Sequence, residues 1–211
     1  LFSPQDLETI RQATARAERR TSGEVVSYSV ERCDSYPEAR WTAAASGALL
    51  ACLAAGAVHL GGGFWGWSSL WLVLPTLLGF LAGFFLGQLA ACQRWLLSGE
   101  TVERRVRLRA ESAFLEEEIF KTRDRTGILI FLALFERRVV ILADEGIHTR
   151  VGQDEWLTLS DALATGIRQG RAVAALIEAI DACGRLLEER RVERRPDDVD
   201  ELTNELRIRD E

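Results

Sequence analysis

Residues 41–93 of this 211-residue chain contain no Lys, Arg, Asp or Glu, and His59 is the only imidazole in that run of 53 positions. Nothing else in the sequence restricts the fold as strongly. Roughly 20 apolar helical residues cross a bilayer core, and residues 42–60 and 70–91 each supply such a segment. The connection between them is short and Gly-rich, so the two spans are expected to run antiparallel. A buried helical pair in a soluble core is the competing reading; the length of the run and its complete lack of charge favour the membrane.

Tryptophan marks the expected depth. Trp65, Trp67 and Trp71 surround the glycine loop at one membrane–water interface, and Trp41 and Trp95 bracket the pair at the other. Indole suits that depth because it is apolar with a single N–H donor. The loop carries no Lys or Arg, whereas Arg32 and Arg40 precede the hairpin and Arg94, Arg104, Arg105, Arg107 and Arg109 follow it. Positive residues collect on the cytoplasmic side. The expected location is therefore a bacterial inner membrane crossed twice, with the soluble part and both termini cytoplasmic and the tryptophan loop outside. Gly79, Gly83 and Gly87 recur every four residues, and Ala43, Gly47, Ala51 and Ala55 form a similar row in the first helix. Such rows permit close backbone contact, either within the hairpin or with a foreign helix.

The charge sits in the flanks, and Arg outnumbers Lys by 25 to 1. A net charge of −6 made of interspersed acids and bases excludes nucleic acid as the main partner. Cys33, Cys52, Cys92 and Cys183 are widely spread, so neither a zinc site nor a disulfide framework is expected. The chain opens on Leu and has no Met, and residues 1–23 read as the start of a soluble helix rather than a signal peptide.

Ser3, Pro4 and Asp6 announce that helix, and Gly23 ends it. "EVVSYSVE" (24–31) then reads as a strand, and residues 101–120 as a charged helix. In "TGILIFLALFERRVVILADEGI" the apolar run 128–135 is the central strand, and residues 139–143 return as the second arm of a hairpin. Two helices, near 154–169 and 171–191, precede a polar tail. A lone strand ahead of the hairpin has no stability of its own. The expected class is therefore α/β: an αβα sandwich with a small mixed sheet, interrupted by an inserted two-helix transmembrane hairpin. The boundaries are 1–40 and 96–191 for the α/β domain, 41–95 for the hairpin, and 192–211 for a polar, extended tail.

The order of "TSGEVVSYSV", "FLEEEIFKTRDRTGILIFLALFERRVVILADEGIHTRV" and "DEWLTLSDALATGIRQGRAVAALIEAI" resembles the TPM domain. "RPDDVDEL" is similar to the C-terminal segment of a bacterial membrane-protein subgroup that carries a hairpin after its first strand. This resemblance implies an α/β sandwich. It also implies roles seen among relatives: photosystem II maintenance, acid phosphatase activity, calcium binding, or service as an auxiliary subunit of membrane receptors. Many relatives are exported, whereas the arginine distribution here keeps the domain inside.

For catalysis the residues offer little. His59 lies in the hairpin, His148 has no sequence-visible partner, and there is no P-loop, HExxH or GxSxG. Acids at strand ends remain: Asp34 after the first strand, Asp124 before the second and Asp144 after the third. Asp124 and Asp144 share a sheet end, because their strands form a hairpin. Asp34 joins them only if the first strand runs parallel to the third. The three are candidate ligands for a weakly bound calcium or magnesium ion, against the reading of solvated loop carboxylates. The sequence thus favours a non-enzymatic adaptor or auxiliary subunit. Its expected partners are the lipid bilayer and, through the hairpin, an integral membrane-protein complex (photosynthetic or respiratory) or a second copy. The alternative is a metal-dependent acid phosphatase of the TPM type.

Overall fold

The computed structural model describes residues 2–62, 70–192 and 201–209. The chain divides into two compact units. One is built from residues 1–33 and 103–211, and the other from residues 34–102. The second unit begins before and ends after the expected 41–95, because its first helix starts at Pro37 and the first turn of the helix that begins at Gly99 belongs to it.

The first unit is a mixed α/β fold. Helix α1 (Pro4–Glu18) starts on Ser3, whose hydroxyl accepts from the Asp6 amide at 3.2 Å while the Asp6 carboxylate accepts from the Ser3 amide at 2.8 Å. Strands β1 (Glu24–Val30), β2 (Gly127–Ala133) and β3 (Arg138–Ala143) follow, with helix α5 (Gly99–Glu116) between β1 and β2 entering the unit at Glu103. A four-residue helix α6 (Glu145–His148), then α7 (Gln153–Arg168), α8 (Ala172–Glu189) and strand β4 (Arg207–Arg209) complete it. The sheet order is β3-β2-β1-β4, with β1 parallel to β2 and to β4 and β2 antiparallel to β3.

Every residue of β1 and β2 is buried, as strands covered on both faces must be. Val25, Ile128, Ile130, Leu132 and Ile141 point to one face and form a core with α1, α7 and α8. The alternate residues turn to the other face, where Tyr28 stacks on Phe131 at 5.7 Å and Arg109 of α5 donates to the Tyr28 hydroxyl at 3.0 Å. Helices therefore lie on both faces of the sheet. The segment expected to be an extended tail is an edge strand instead, with Tyr28, Ser29 and Val30 paired to Arg207, Ile208 and Arg209. Only Leu206 and Ile208 give it an apolar signature, too short a pattern to separate from loop.

The second unit is a helical hairpin. Helix α2 (Pro37–Leu60) packs along α3 (Leu70–Leu86), and α4 (Ala90–Leu96) follows. The second apolar span is expected over 70–91; its helix ends at Leu86, and the chain turns by 100° into α4. Gly87 and the polar Gln88 occupy the turn, where bonds from Gln88 to Phe85 and from Leu89 to Leu86 tighten the last helical turn. Among the described residues α2 alone is long and apolar enough to cross a membrane, and α3 with α4 qualifies only as a bent pair.

Candidate functional site

The carboxylates proposed as metal ligands are not brought together. Because β1 runs parallel to β2, the chain leaves β1 at the sheet end opposite Asp124 and Asp144, and Asp34 passes into the hairpin unit. At that exit the Cys33 amide donates to Glu136 Oε1 at 2.9 Å. The Asp34 carboxylate caps its own turn, accepting from the Tyr36 amide at 3.1 Å. Tyr36 there has a left-handed backbone, φ 47°, immediately ahead of Pro37. Asp34 is thus a turn-forming residue at the hairpin entrance.

Asp144 is 6% exposed and already engaged. Its Oδ1 accepts from the Glu145 amide at 2.8 Å, capping α6, and its Oδ2 lies 3.2 Å from Arg125 Nε. That second contact is an ion pair without an aligned hydrogen bond. Asp124 contributes backbone: Gly146 of α6 packs so closely on the Asp124 and Arg125 carbonyls that any side chain at Gly146 would overlap them. The Gly146 amide donates to the Arg125 carbonyl at 3.0 Å. An arginine therefore pairs with the buried Asp144 carboxylate, which lessens the repulsion a cation would relieve. No group of three His, Cys, Asp or Glu side chains suited to a metal ion occurs among the described residues.

The hydroxyl–carboxylate pairs among them, Ser3 with Asp6 and Ser35 with Asp34, are exposed contacts at a helix start and in a turn. Neither His59 nor His148 makes a side-chain hydrogen bond among the described residues, and Cys183, fully buried in α8, has its thiol pushed up to about 12 by that burial. A buried thiol held neutral is inert rather than nucleophilic.

The glycine row has a definite partner. A side chain at Gly79 would overlap the Gly47 carbonyl and Ala51, one at Gly83 the Ala43 carbonyl, and one at Gly87 the backbone of Arg40. All three glycines therefore face α2, against the row of Ala43, Gly47 and Ala51 read from the sequence. With the small residues turned inward, the large ones turn outward: Leu49, Leu50, Leu53, Leu78 and Phe85 are all at least 60% exposed. Trp41, Trp71 and Trp95 are exposed at 58%, 46% and 84%. Trp41 packs against Phe84 at 5.6 Å, and Trp95 lies on α4 beyond the bend. Trp65 and Trp67 lie outside the described residues.

Two buried acids were overlooked in the sequence: Glu18, 4% exposed at the end of α1 and accepting from the Val25 amide at 3.0 Å, and Glu24. Glu24, the acid of "TSGE", is 5% exposed and accepts from the amides of Glu201 and Leu202 at 3.2 and 3.4 Å, holding the C-terminal segment against the sheet. In the same motif Thr21 donates to the Val192 carbonyl at 2.7 Å, and Gly23 leaves room for Leu187. The motif is a structural junction between α1, β1, α8 and the C-terminal strand. Its signal was an acid at the first position of a fully buried strand.

No protein-family model and no curated protein matches the sequence. Among solved structures, the chain is similar in fold to the NMR structure of BA42 protein from the psychrophilic bacterium Bizionia argentinensis. The two are 19% identical with a TM-score of 0.61, over 99% of this chain and 96% of that one, a likeness of fold alone.

Proposed function

We propose that the protein is a membrane-anchored, non-enzymatic adaptor. In this reading its α/β unit, TPM-like in the order of its motifs, binds, assembles or maintains a membrane-protein complex, and its helical hairpin holds it in the bacterial inner membrane. The observation that carries the reading is the inside-out hairpin. Helix α2 is only 11% buried over its most apolar window, and α2 and α3 meet through glycine and alanine while leucine and phenylalanine face outward. Contiguous apolar patches of that extent are rare on proteins that live in water. In lipid the same surface needs no cover, and small residues at the helix contact are the usual means of association.

The two spans differ in length. The 24 residues of α2 rise about 36 Å, enough for a hydrocarbon core of about 30 Å. The 17 residues of α3 rise only about 25 Å, a mismatch met by local thinning or by anchoring residues at the interface. Trp95 on α4 is placed in sequence to serve as such an anchor. The arginines flanking the hairpin support cytoplasmic termini.

Three measurements test this. After alkaline carbonate washing, the protein is expected to stay with the membranes; release into the supernatant would sink the membrane reading. With Ser68→Cys, an impermeant thiol reagent is expected to label intact cells from outside, and a cysteine replacing Glu189 only after permeabilisation. The reverse pattern would invert the orientation. Gentle detergent extraction should then bring down an integral membrane complex or a second copy, and recovery of bare monomer would remove the adaptor role.

A further inference from the structure

The two edges of the sheet are guarded differently. At β4 the edge is three residues long and sets its one apolar side chain, Ile208, between two arginines, a poor template for another strand. At β3 the edge is six residues, RVVILA, with no Lys, Pro or Gly and an unbroken register to β2. Among the described residues β3 is paired on that side only. The Asp144 amide donates to the Gly127 carbonyl at 2.9 Å. Bonding alternates along an antiparallel ladder. Val140 and Leu142 therefore turn their N–H and C=O groups toward β2, while Val139, Ile141 and Ala143 turn theirs to the open edge.

That edge floors a groove of about 430 Å³ walled by α5 through Glu103, Val106 and Arg107 and by α7 through Trp156, Leu157 and Asp161. The walls stand on opposite faces of the sheet. A single extended chain suits a groove walled on both sides by helices. The lining suits one. Leu157 is 56% exposed, and Trp156 is 5% exposed with its indole N–H buried and without an acceptor among the described residues. Side chains of an added strand alternate between the two walls, so apolar residues at alternate positions would cover Leu157 and Trp156 on one side and Val106 on the other.

Charge gives the segment a polarity. Arg107 is held by Glu111 at 3.0 Å, whereas Glu103, Asp161 and Arg138 have no ion-pair partner among the described residues. Two unpaired acids thus face one unpaired cation. Helix α5 runs toward the start of β2, where Gly127 packs on Ile119, and α7 runs back from the end of β3. Glu103 and Asp161 therefore both belong to the Arg138 end of the groove. We propose that this groove binds one extended peptide segment of a partner protein, added as a fifth strand beside β3, with a Lys or Arg directed to Glu103 and Asp161. This deepens the adaptor reading and rests on it for the source of the segment; the backbone chemistry of the edge is independent of membrane insertion.

The test uses the full-length protein in mild detergent. The probe is a displayed pool of nonapeptides with apolar residues at alternate positions and Lys or Glu at either end, set against a scrambled pool of equal composition. Lys-bearing members are expected to enrich and to slow hydrogen exchange at the Val139, Ile141 and Ala143 amides, leaving those of Val140 and Leu142 nearly unchanged. Asp161→Lys, an exposed helix position, is expected to weaken the enriched peptide by about tenfold or more and to shift enrichment toward Glu-bearing members. Val139→Pro, which deletes an edge donor, is expected to abolish binding, and the charge variant keeps the test independent of whether that proline perturbs β3. No enrichment over the scrambled pool, or binding that leaves the three edge amides exchanging freely, overturns the proposal. Concentration-dependent protection of those amides without peptide also overturns it, since a second copy would then fill the edge. A complex that still co-purifies with both variants while peptides fail to bind removes the groove and spares the adaptor reading. Peptide binding at the edge with nothing co-purifying does the opposite.

Discussion

Cys183 packs among Leu176, Ile180 and Leu187 on the buried face of α8, and only burial acts on its thiol. A thiol raised to about 12 in the fold from an ordinary 9.0 is favoured there in its neutral form. Its contribution to stability is complete below about pH 9 and is lost as pH rises toward 12. At neutral pH Cys183 should resist alkylation in the native protein and react at once in denaturant, as mass mapping of labelled peptides would show; native labelling would mean the α1–α8 contact opens readily. On the facing strand, Ile130 is fully buried in the same core. Ile130→Ala should cost about 2–5 kcal/mol through the cavity it leaves, measured by denaturant unfolding. A loss well under 1 kcal/mol would make β2 peripheral. Both residues were legible as apolar-core positions, because burial follows from their place in strongly apolar periodic segments. Glu24 was not, since the donors that justify a buried carboxylate lie far away in sequence, at Glu201 and Leu202.

Elements show where such long-range effects act. The Gly83 face is matched to the Ala43 carbonyl across the α2–α3 contact, so Gly83→Leu must force those backbones apart. The expected outcome is a misfolded or poorly expressed hairpin, seen as aggregation on gel filtration in detergent, with Ala43→Gly unable to restore it. A normally folded variant would place the contact elsewhere. At the C-terminus, removing residues 201–211 takes two amide donors from the buried Glu24 carboxylate and leaves β1 as an edge. The loss should be about 1–3 kcal/mol in unfolding free energy; an unchanged midpoint would show that β4 is ornamental. The helix break after Leu86 was within reach of sequence reading, since Gln88 follows Gly87 there, but continuous apolarity on both sides concealed it. Hydropathy counts side chains and is blind to a local change of backbone direction.

On the scale of the molecule, the core on the α1, α7 and α8 face of the sheet draws every buried member from residues 10–25 and 128–206 and none from the hairpin unit, and the buried residues of α5 on the other face, Val106, Ala110 and Ala113, belong to the α/β unit as well. Replacing residues 34–102 by a flexible Gly/Ser linker should therefore yield a water-soluble, cooperatively folding α/β protein, followed by circular dichroism and urea titration. Failure to fold would show that the sheet requires the hairpin. The sequence by itself determined the charge-free apolar hairpin, the small-residue rows of its helices, the β2–β3 pair and the amphipathic helices, because each is written in residues close together along the chain. Tertiary structure alone decided that β1 runs parallel to β2, that Asp34 consequently leaves the Asp124–Asp144 end, that Arg125 occupies Asp144, and that the C-terminal segment closes one edge while β3 stays open. The strand outcomes turn on pairings between β1 and partners more than a hundred residues away in the chain, where the direction of a strand follows from which partner buries its two faces and nothing in its own residues distinguishes the choices.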